Sequence, residues 1–258
     1  AGDDREGVMD LGALLTTQFL AVALVFARIG AAMVFMPGFG ESFIFVRHRL
    51  VTAVLLALVL TPLVARGPVP EGALDLVRAF GIEVTLGIWI GLVARVLLTS
   101  LQVAGAQIGL VSGLSNAFAP NIGSFQGSTL IATALMLGGV AVIFATDVHH
   151  LIIEAIINSY EVFPPGRIMT GDLAQQMTKA ATSAFYIGLS VSAPFYVMGV
   201  VLNVGLGLTN RMLPSLPVFF VAAPVLIFAG LFVLVLAVPS ALRTFLTHFV
   251  EWLGLLTL

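Results

Sequence analysis

Hydrophobic positions in this chain come in long blocks rather than in alternation, and proline, glycine and isolated charges punctuate them. The first block, Leu11 to Met36, is interrupted only by Gln18, Arg28 and small polar residues, and Pro37-Gly38 ends it. A short connector with Glu41 and the cluster Arg47-His48-Arg49 leads into Leu50 to Val64, which carries Pro62. Arg66 to Gly72, with Pro68 and Pro70, reads as a turn-rich connection. Leu74 to Leu101 is a long helix candidate carrying Asp75, Arg78, Glu83 and Arg95. Two further blocks, Leu130–Ala145 and Val148–Phe163, meet at Asp147-Val148-His149-His150, which reads as a hairpin corner or a kink. Pro164-Pro165-Gly166 ends the second of these, and Thr170-Gly171-Asp172 is a plausible helix start within the polar stretch that follows. Ala180 to Leu208 contains Pro194, which predicts a kink. A corner at Thr209 to Pro217, the block Val218 to Leu236 with Pro224, and a last segment after Pro239 complete the chain. At ~20 apolar residues per membrane crossing, the pattern predicts about six spans and an all-α fold of kinked hydrophobic hairpins.

The stretch 102–129 departs from this pattern. It lies within Val96 to Thr146, where no residue is charged, yet it is a poor membrane helix. Gly105, Gly109, Gly113, Gly123 and Gly127 recur through it, Pro120 interrupts it, and Ser112, Ser115, Asn116, Asn121, Ser124 and Gln126 make it polar. Irregular, uncharged backbone inside an apolar protein is tolerated where protein buries it or where it lines a watery cavity. The stretch is therefore expected to line or block a passage. It divides one expected domain, 1–258, into N-terminal hairpins (11–101) and C-terminal hairpins (130–258).

Composition strengthens the membrane reading. The 258 residues are 59% hydrophobic and 9% charged, with a mean hydropathy of +1.11, whereas soluble domains carry roughly 25% charged residues. Lipid or partner subunits must cover such a surface. The net charge of −2 lacks the basic footprint of a nucleic-acid binder. The absence of cysteine excludes disulfides, thiolate metal sites and a cysteine nucleophile. The acidic opening AGDDREG does not resemble a cleavable signal.

Charges inside apolar blocks are expensive, so Arg28 should face protein, water or a carboxylate. Arg47 and Arg49 could anchor the chain on the positive-inside rule or contact acidic groups of a partner. Asp75 and Arg78 are spaced for one helix face, whereas Glu83 and Arg95 must find partners elsewhere.

Chemistry of other kinds is sparse. Asp147, His149 and His150 invite a metal, but adjacent histidines are expected to point to different helix faces, so a polar corner is expected and no metal or other cofactor. Gly205-Leu206-Gly207 lacks the third glycine and the strand–helix setting of a dinucleotide site. No nucleophile elbow or phosphate loop occurs, and no enzyme is expected.

Asn203-Val204-Gly205-Leu206-Gly207-Leu208-Thr209-Asn210-Arg211-Met212-Leu213-Pro214 resembles the corresponding stretch of the FliR family of flagellar export proteins, which writes an Asn, then Gly-Leu, then Asn-Arg-Met-x-Pro. Pro37 with Val46-Arg47-His48-Arg49 and Pro62, and Ala106-Gln107-Ile108-Gly109 with Gly113-Leu114-Ser115, are similar in the same order. Asn116 follows the Gly-Leu-Ser where the family often has closely spaced aromatics, and Phe118 and Phe125 are the nearest here.

The resemblance implies a non-enzymatic core subunit of the type III export gate in the bacterial inner membrane and flagellar basal body. The implied partners are FliP-like and FliQ-like subunits, FlhB-like and FlhA-like export components, and unfolded exported proteins as substrate. The implied plug is formed by Gly109, Ser112, Gly113, Leu114, Ser115, Asn116, Phe118, Pro120, Asn121, Gly123 and Phe125. Arg28, Arg47, Arg49, Asn203, Asn210, Arg211 and Pro214 are expected at subunit interfaces or hairpin corners. A small-solute secondary transporter is the alternative, since it too uses broken helices and midplane polar groups.

Overall fold

A computed structural model describes residues 11–64, 70, 72–114, 126–164, 170–212 and 218–254. These residues form seven helices and no strand: α1 (Leu11–Phe35), α2 (Val46–Val64), α3 (Ala73–Val111), α4 (Gln126–Ala145), α5 (Val148–Val162), α6 (Thr170–Met212) and α7 (Val218–Gly254). Five of them are long and apolar enough to cross a membrane, and the bent pair α4 and α5 makes six if counted as one span. The all-α fold of hydrophobic hairpins expected from the block pattern is the fold observed.

Several boundaries move. The irregular stretch does not begin at Gln102, because α3 continues to Val111. Glycines at 105 and 109 are helix positions, and in a membrane helix a missing Cβ lets a neighbour approach closely. Nor does Pro239 separate two segments: α7 runs from Val218 to Gly254 with Pro224 and Pro239 inside it. In an apolar setting the backbone groups flanking a proline have no better partners than their own helix. Similarly α6 encloses Pro194 and reaches Met212, so Asn210 and Arg211 belong to its last turn. The cluster Arg47-His48-Arg49 falls in the first turn of α2. The break at Thr146-Asp147 is present, with Asp147 at φ 58 and a bend of 79° between the flanking helices.

The described residues divide into two compact units. The first is built from α1, α2, the beginning of α3 and most of α5. Val25, Ile29, Ala32, Met33, Leu86, Ile90, Val93, Ile152 and Ile156 form its buried apolar interior. Two glycines one turn apart, Gly87 and Gly91, let α3 lie directly on α1. A Cβ at Gly87 would stand 2.2 Å from the Arg28 carbonyl oxygen, and one at Gly91 would stand 2.5 Å from that of Ala32. This is the small-xxx-small packing of membrane helices, in which the approach of two backbones replaces a hydrophobic driving force that lipid cannot supply.

Arg28 sits at the centre of this unit and is fully buried. Its Nε donates to Glu83 Oε2 at 2.6 Å and its Nη2 to Glu83 Oε1 at 3.1 Å, a bidentate pair. Nη1 donates to the backbone oxygen and the hydroxyl of Ser159, and Nη2 to the Phe163 oxygen, at 3.0–3.2 Å. These bonds occupy the five N–H donors of a guanidinium. Its Cζ also lies 3.8 Å from the centre of the Tyr160 ring. Because Ser159 and Phe163 flank the end of α5, the cation caps that helix where its dipole favours positive charge. Trp89 adds a bond from Nε1 to the Leu173 oxygen at 3.1 Å and an edge contact with Phe163.

The second unit contains the rest of α3, α4, and nearly all of α6 and α7. Leu97, Leu98, Leu101, Ile108, Ile143, Ile187, Phe195, Phe245 and Phe249 are its buried interior. Large apolar side chains also face outward along α6 (Phe185, Val197, Val200, Val201, Val204) and along α7, where Phe228 is 75% exposed beside Phe232 and Val235. Patches of this extent mark surfaces that meet lipid or other proteins.

Candidate functional site

The candidate site is the end of α3, where the charge-free stretch leaves its helix. Ser112 closes the helix with two bonds to the Ile108 oxygen, from its amide at 3.0 Å and its hydroxyl at 2.5 Å. Gly113 follows at φ +70, the left-handed conformation that commonly ends a helix and that a side chain would strain. Ser112 and Leu114, on either side of it, are fully buried.

Glycines on the neighbouring helices hold this end in place. Gly199 of α6 faces Val111, and a Cβ there would stand 2.6 Å from Val111 Cγ1. On α7, a Cβ at Gly230 would meet Ser112 Cβ at 2.7 Å and Leu114 Cδ1 at 3.5 Å. About two turns before Ser112, Gly105 lies on the backbone of Ala132 in α4, where a Cβ would come within 2.4 Å of its Cα. Polar bonds are few but placed on the same helix: the Tyr196 hydroxyl donates to Gln107 Oε1 at 2.6 Å, and Gln102 Nε2 approaches Met136 Sδ at 2.8 Å. Leu110, by contrast, turns outward and is 61% exposed. Among the described residues at this helix end there is no carboxylate, histidine or amine. The end offers a closely packed root and one residue of left-handed backbone, followed in the sequence by a neutral segment.

Of the residues expected in the plug, Gly109, Ser112, Gly113 and Leu114 thus lie at this root. Ser115, Asn116, Phe118, Pro120, Asn121, Gly123 and Phe125 lie outside the described residues, as does Pro214. The residues expected at interfaces and corners are scattered. Arg28 is turned inward onto Glu83 and presents nothing to a surface. Arg49 pins the connector before α2, donating from Nε to the Phe39 oxygen at 2.9 Å and from Nη2 to the Glu41 oxygen at 3.2 Å. Arg47 is exposed in the same helical turn. Asn203 donates to the Gly199 oxygen of its own helix at 2.8 Å, and Asn210 and Arg211 are exposed. The sequence reading missed the helix-facing roles of Gly87, Gly91, Gly199 and Gly230. The four-residue spacing of Gly87 and Gly91 was the available signal for the first pair.

A second cluster lies at the break between α4 and α5. The rings of His149 and His150 do not diverge, as expected of neighbours on a helix, but lie with centroids 4.1 Å apart. The left-handed Asp147 places the break directly before the first turn of α5, so its carboxylate reaches the same side. One donor atom from each of Asp147, His149 and His150 falls within 4.8 Å of the others.

The fold and these sites define a polytopic, all-α membrane protein whose central feature is a neutral, glycine-seated helix end. Residues 19–252 match the family model described as Bacterial export proteins, family 1. The flagellar biosynthetic protein FliR of Caulobacter vibrioides is 38% identical over 243 residues, which cover 93% of this chain and 97% of that protein. FliR of Bacillus subtilis is 28% identical, with 84% and 85% covered. The secretion system apparatus protein SsaT of Salmonella typhimurium is 27% identical over 64% of this chain and 65% of its own. The chain belongs to family 1 of the bacterial export proteins, the FliR family.

Proposed function

We propose that this chain is a core subunit of the flagellar type III protein export gate in the bacterial inner membrane. In this reading it acts as one export-gate domain. It forms part of the wall of a protein-conducting channel, and the segment after α3 closes that channel. Family membership supports the export role, and FliR-like relatives cover nearly the whole chain. The observation that carries the closing role is the root itself. Ser112 and Leu114 are buried against the Gly230 socket around a left-handed Gly113, and they deliver a segment without charge. Neutral serines and asparagines in that segment suit a passage that must accept many unfolded sequences.

The exposed apolar faces of α6 and α7 support assembly with FliP-like and FliQ-like subunits, which would cover them in the basal body. FlhB-like and FlhA-like components complete the proposed apparatus. Energy for export would come from those other components, since the sequence carries no phosphate-binding loop motif.

The lack of any cysteine makes a direct test clean. A Leu110→Cys variant, assembled with its partners, should cross-link to an export substrate stalled in transit. A Val77→Cys variant, exposed on the first unit, should not. Absence of the Leu110→Cys cross-link in an active, substrate-loaded gate would contradict a passage beside the α3 root.

A further inference from the structure

We infer that Asp147, His149 and His150 form a binding site for a borderline divalent transition-metal cation, with zinc the best match. The donor set decides the class. Two imidazoles and one carboxylate suit zinc and its late first-row neighbours, whereas calcium and magnesium take oxygen donors.

Three observations place the donors together. The His150 amide bonds to the Asp147 oxygen at 3.0 Å, so the first turn of α5 folds directly over the break. His150 Nδ1 then stands 3.9 Å from Asp147 Oδ1, too far for a hydrogen bond and close enough for both to reach one ion. His149 packs against Phe144 and His150, at centroid distances of 5.2 Å and 4.1 Å. Its Nδ1 is buried with no hydrogen-bond partner among the described residues. A buried imidazole nitrogen with no protein partner calls for a partner of another kind. A bound cation fixes the tautomer of each ring.

Tetrahedral zinc, with bonds of about 2.0–2.1 Å, holds its donors about 3.3–3.4 Å apart. Starting from a mutual spacing within 4.8 Å, the cluster has to close by rotation of side chains. Those of Asp147 and His150 are 80% and 70% exposed and free to turn. The start of α5 repels a cation, but the end of α4 meets it at the same break, and the two dipole ends oppose each other. Three protein donors leave a fourth position for water. Bound metal holds Asp147 in its left-handed conformation at the break.

Zinc titration of the full-length protein, purified in detergent without a histidine tag, tests the site. A competing chromophoric chelator reports affinity. The wild type should take up one zinc per chain, and X-ray absorption should show a nitrogen/oxygen shell at about 2.0–2.1 Å. His150→Ala should weaken binding by about tenfold or more, comparable with losses seen when metal-site contacts are removed. Asp147→Asn should act in the same direction. His48→Ala and His248→Ala should leave binding unchanged, although His248 pairs with Glu251 at 3.0 Å in a similar local spacing. The exposure of His150 makes its variant a safe one for folding. Failure of the wild type to bind one equivalent of zinc, or undiminished binding by His150→Ala, overturns the inference.

Discussion

Arg28 and Glu83, 55 residues apart in the chain, form a bidentate ion pair whose Nε–Oε2 distance is 2.6 Å and whose side chains are 0% and 3% exposed. The pair is completed by carbonyls at the end of α5, so three helices depend on one guanidinium. Removing one member of a buried pair strands the other, at a cost of about 3–5 kcal/mol. Glu83→Gln and Arg28→Met should therefore each destabilise the protein strongly in detergent, read as thermal unfolding or protease sensitivity. The double variant Arg28→Met with Glu83→Leu should be less damaged than the sum of the two singles, because no uncompensated charge remains. Arg28→Lys should not rescue, since an ammonium has three donors and no planar fork. Additive losses in the double variant would show that the two residues act independently.

The contact between α1 and α3 depends on the absence of side chains at two positions. Gly87→Val and Gly91→Val should separate the helices and lower thermal stability, by amounts typical of overpacked cores, about 1–3 kcal/mol or more. Gly81 provides the contrast, because a Cβ there meets nothing within 4 Å. Gly81→Ala should be neutral or stabilise by up to about 1 kcal/mol through helix propensity. Equal effects at Gly81 and Gly87 would contradict the close-packing role.

At the root of the central segment the same logic reaches function. Gly230→Val should collide with Ser112 and Leu114 and displace the segment they hold. Gly113→Val should strain the left-handed backbone, at a cost of about 1–3 kcal/mol. Both variants, assembled with partner subunits, should leak ions across the inner membrane more than the intact protein. Gly205→Val, on an open helix face where nothing lies within 4 Å, should not cause a leak through this route. A tight membrane with Gly230→Val in fully assembled complexes would contradict the seating role of Gly230.

How much of this was legible in the chain differs from element to element. The apolar blocks revealed the all-α class and the number of spans, because a ~20-residue apolar run has few alternatives in a membrane. Arg28 announced its need for protein, water or a carboxylate, and Glu83 its need for a distant partner. Their pairing was not readable, since nothing periodic connects positions 55 residues apart. Proline misled at Pro239 and glycine at Gly105. Both stand as interruptions in the sequence pattern, yet α7 and α3 continue through them, because in an apolar setting the backbone finds no better partner than its own helix. The glycines and serines set 102–129 apart in the sequence, and of that stretch residues 102–114 and 126–129 are described. The sockets that receive it, Gly199 and Gly230, lie in remote helices and only folding brings them opposite Val111, Ser112 and Leu114. The corner at Asp147 was legible, but the approach of the His149 and His150 rings within one helix was not, since it is set by their side-chain rotamers rather than by their spacing.

The proposed seal of the channel is the segment after α3. Deleting residues 113–123 and measuring ion leakage across the inner membrane tests it most directly. The deletion and the intact chain are each co-expressed with the FliP-like and FliQ-like subunits and compared at equal yield of assembled complex. A large new leak with the deletion is the predicted result. A membrane that stays tight while the complex still assembles would contradict the claim and leave the chain a scaffold of the export apparatus.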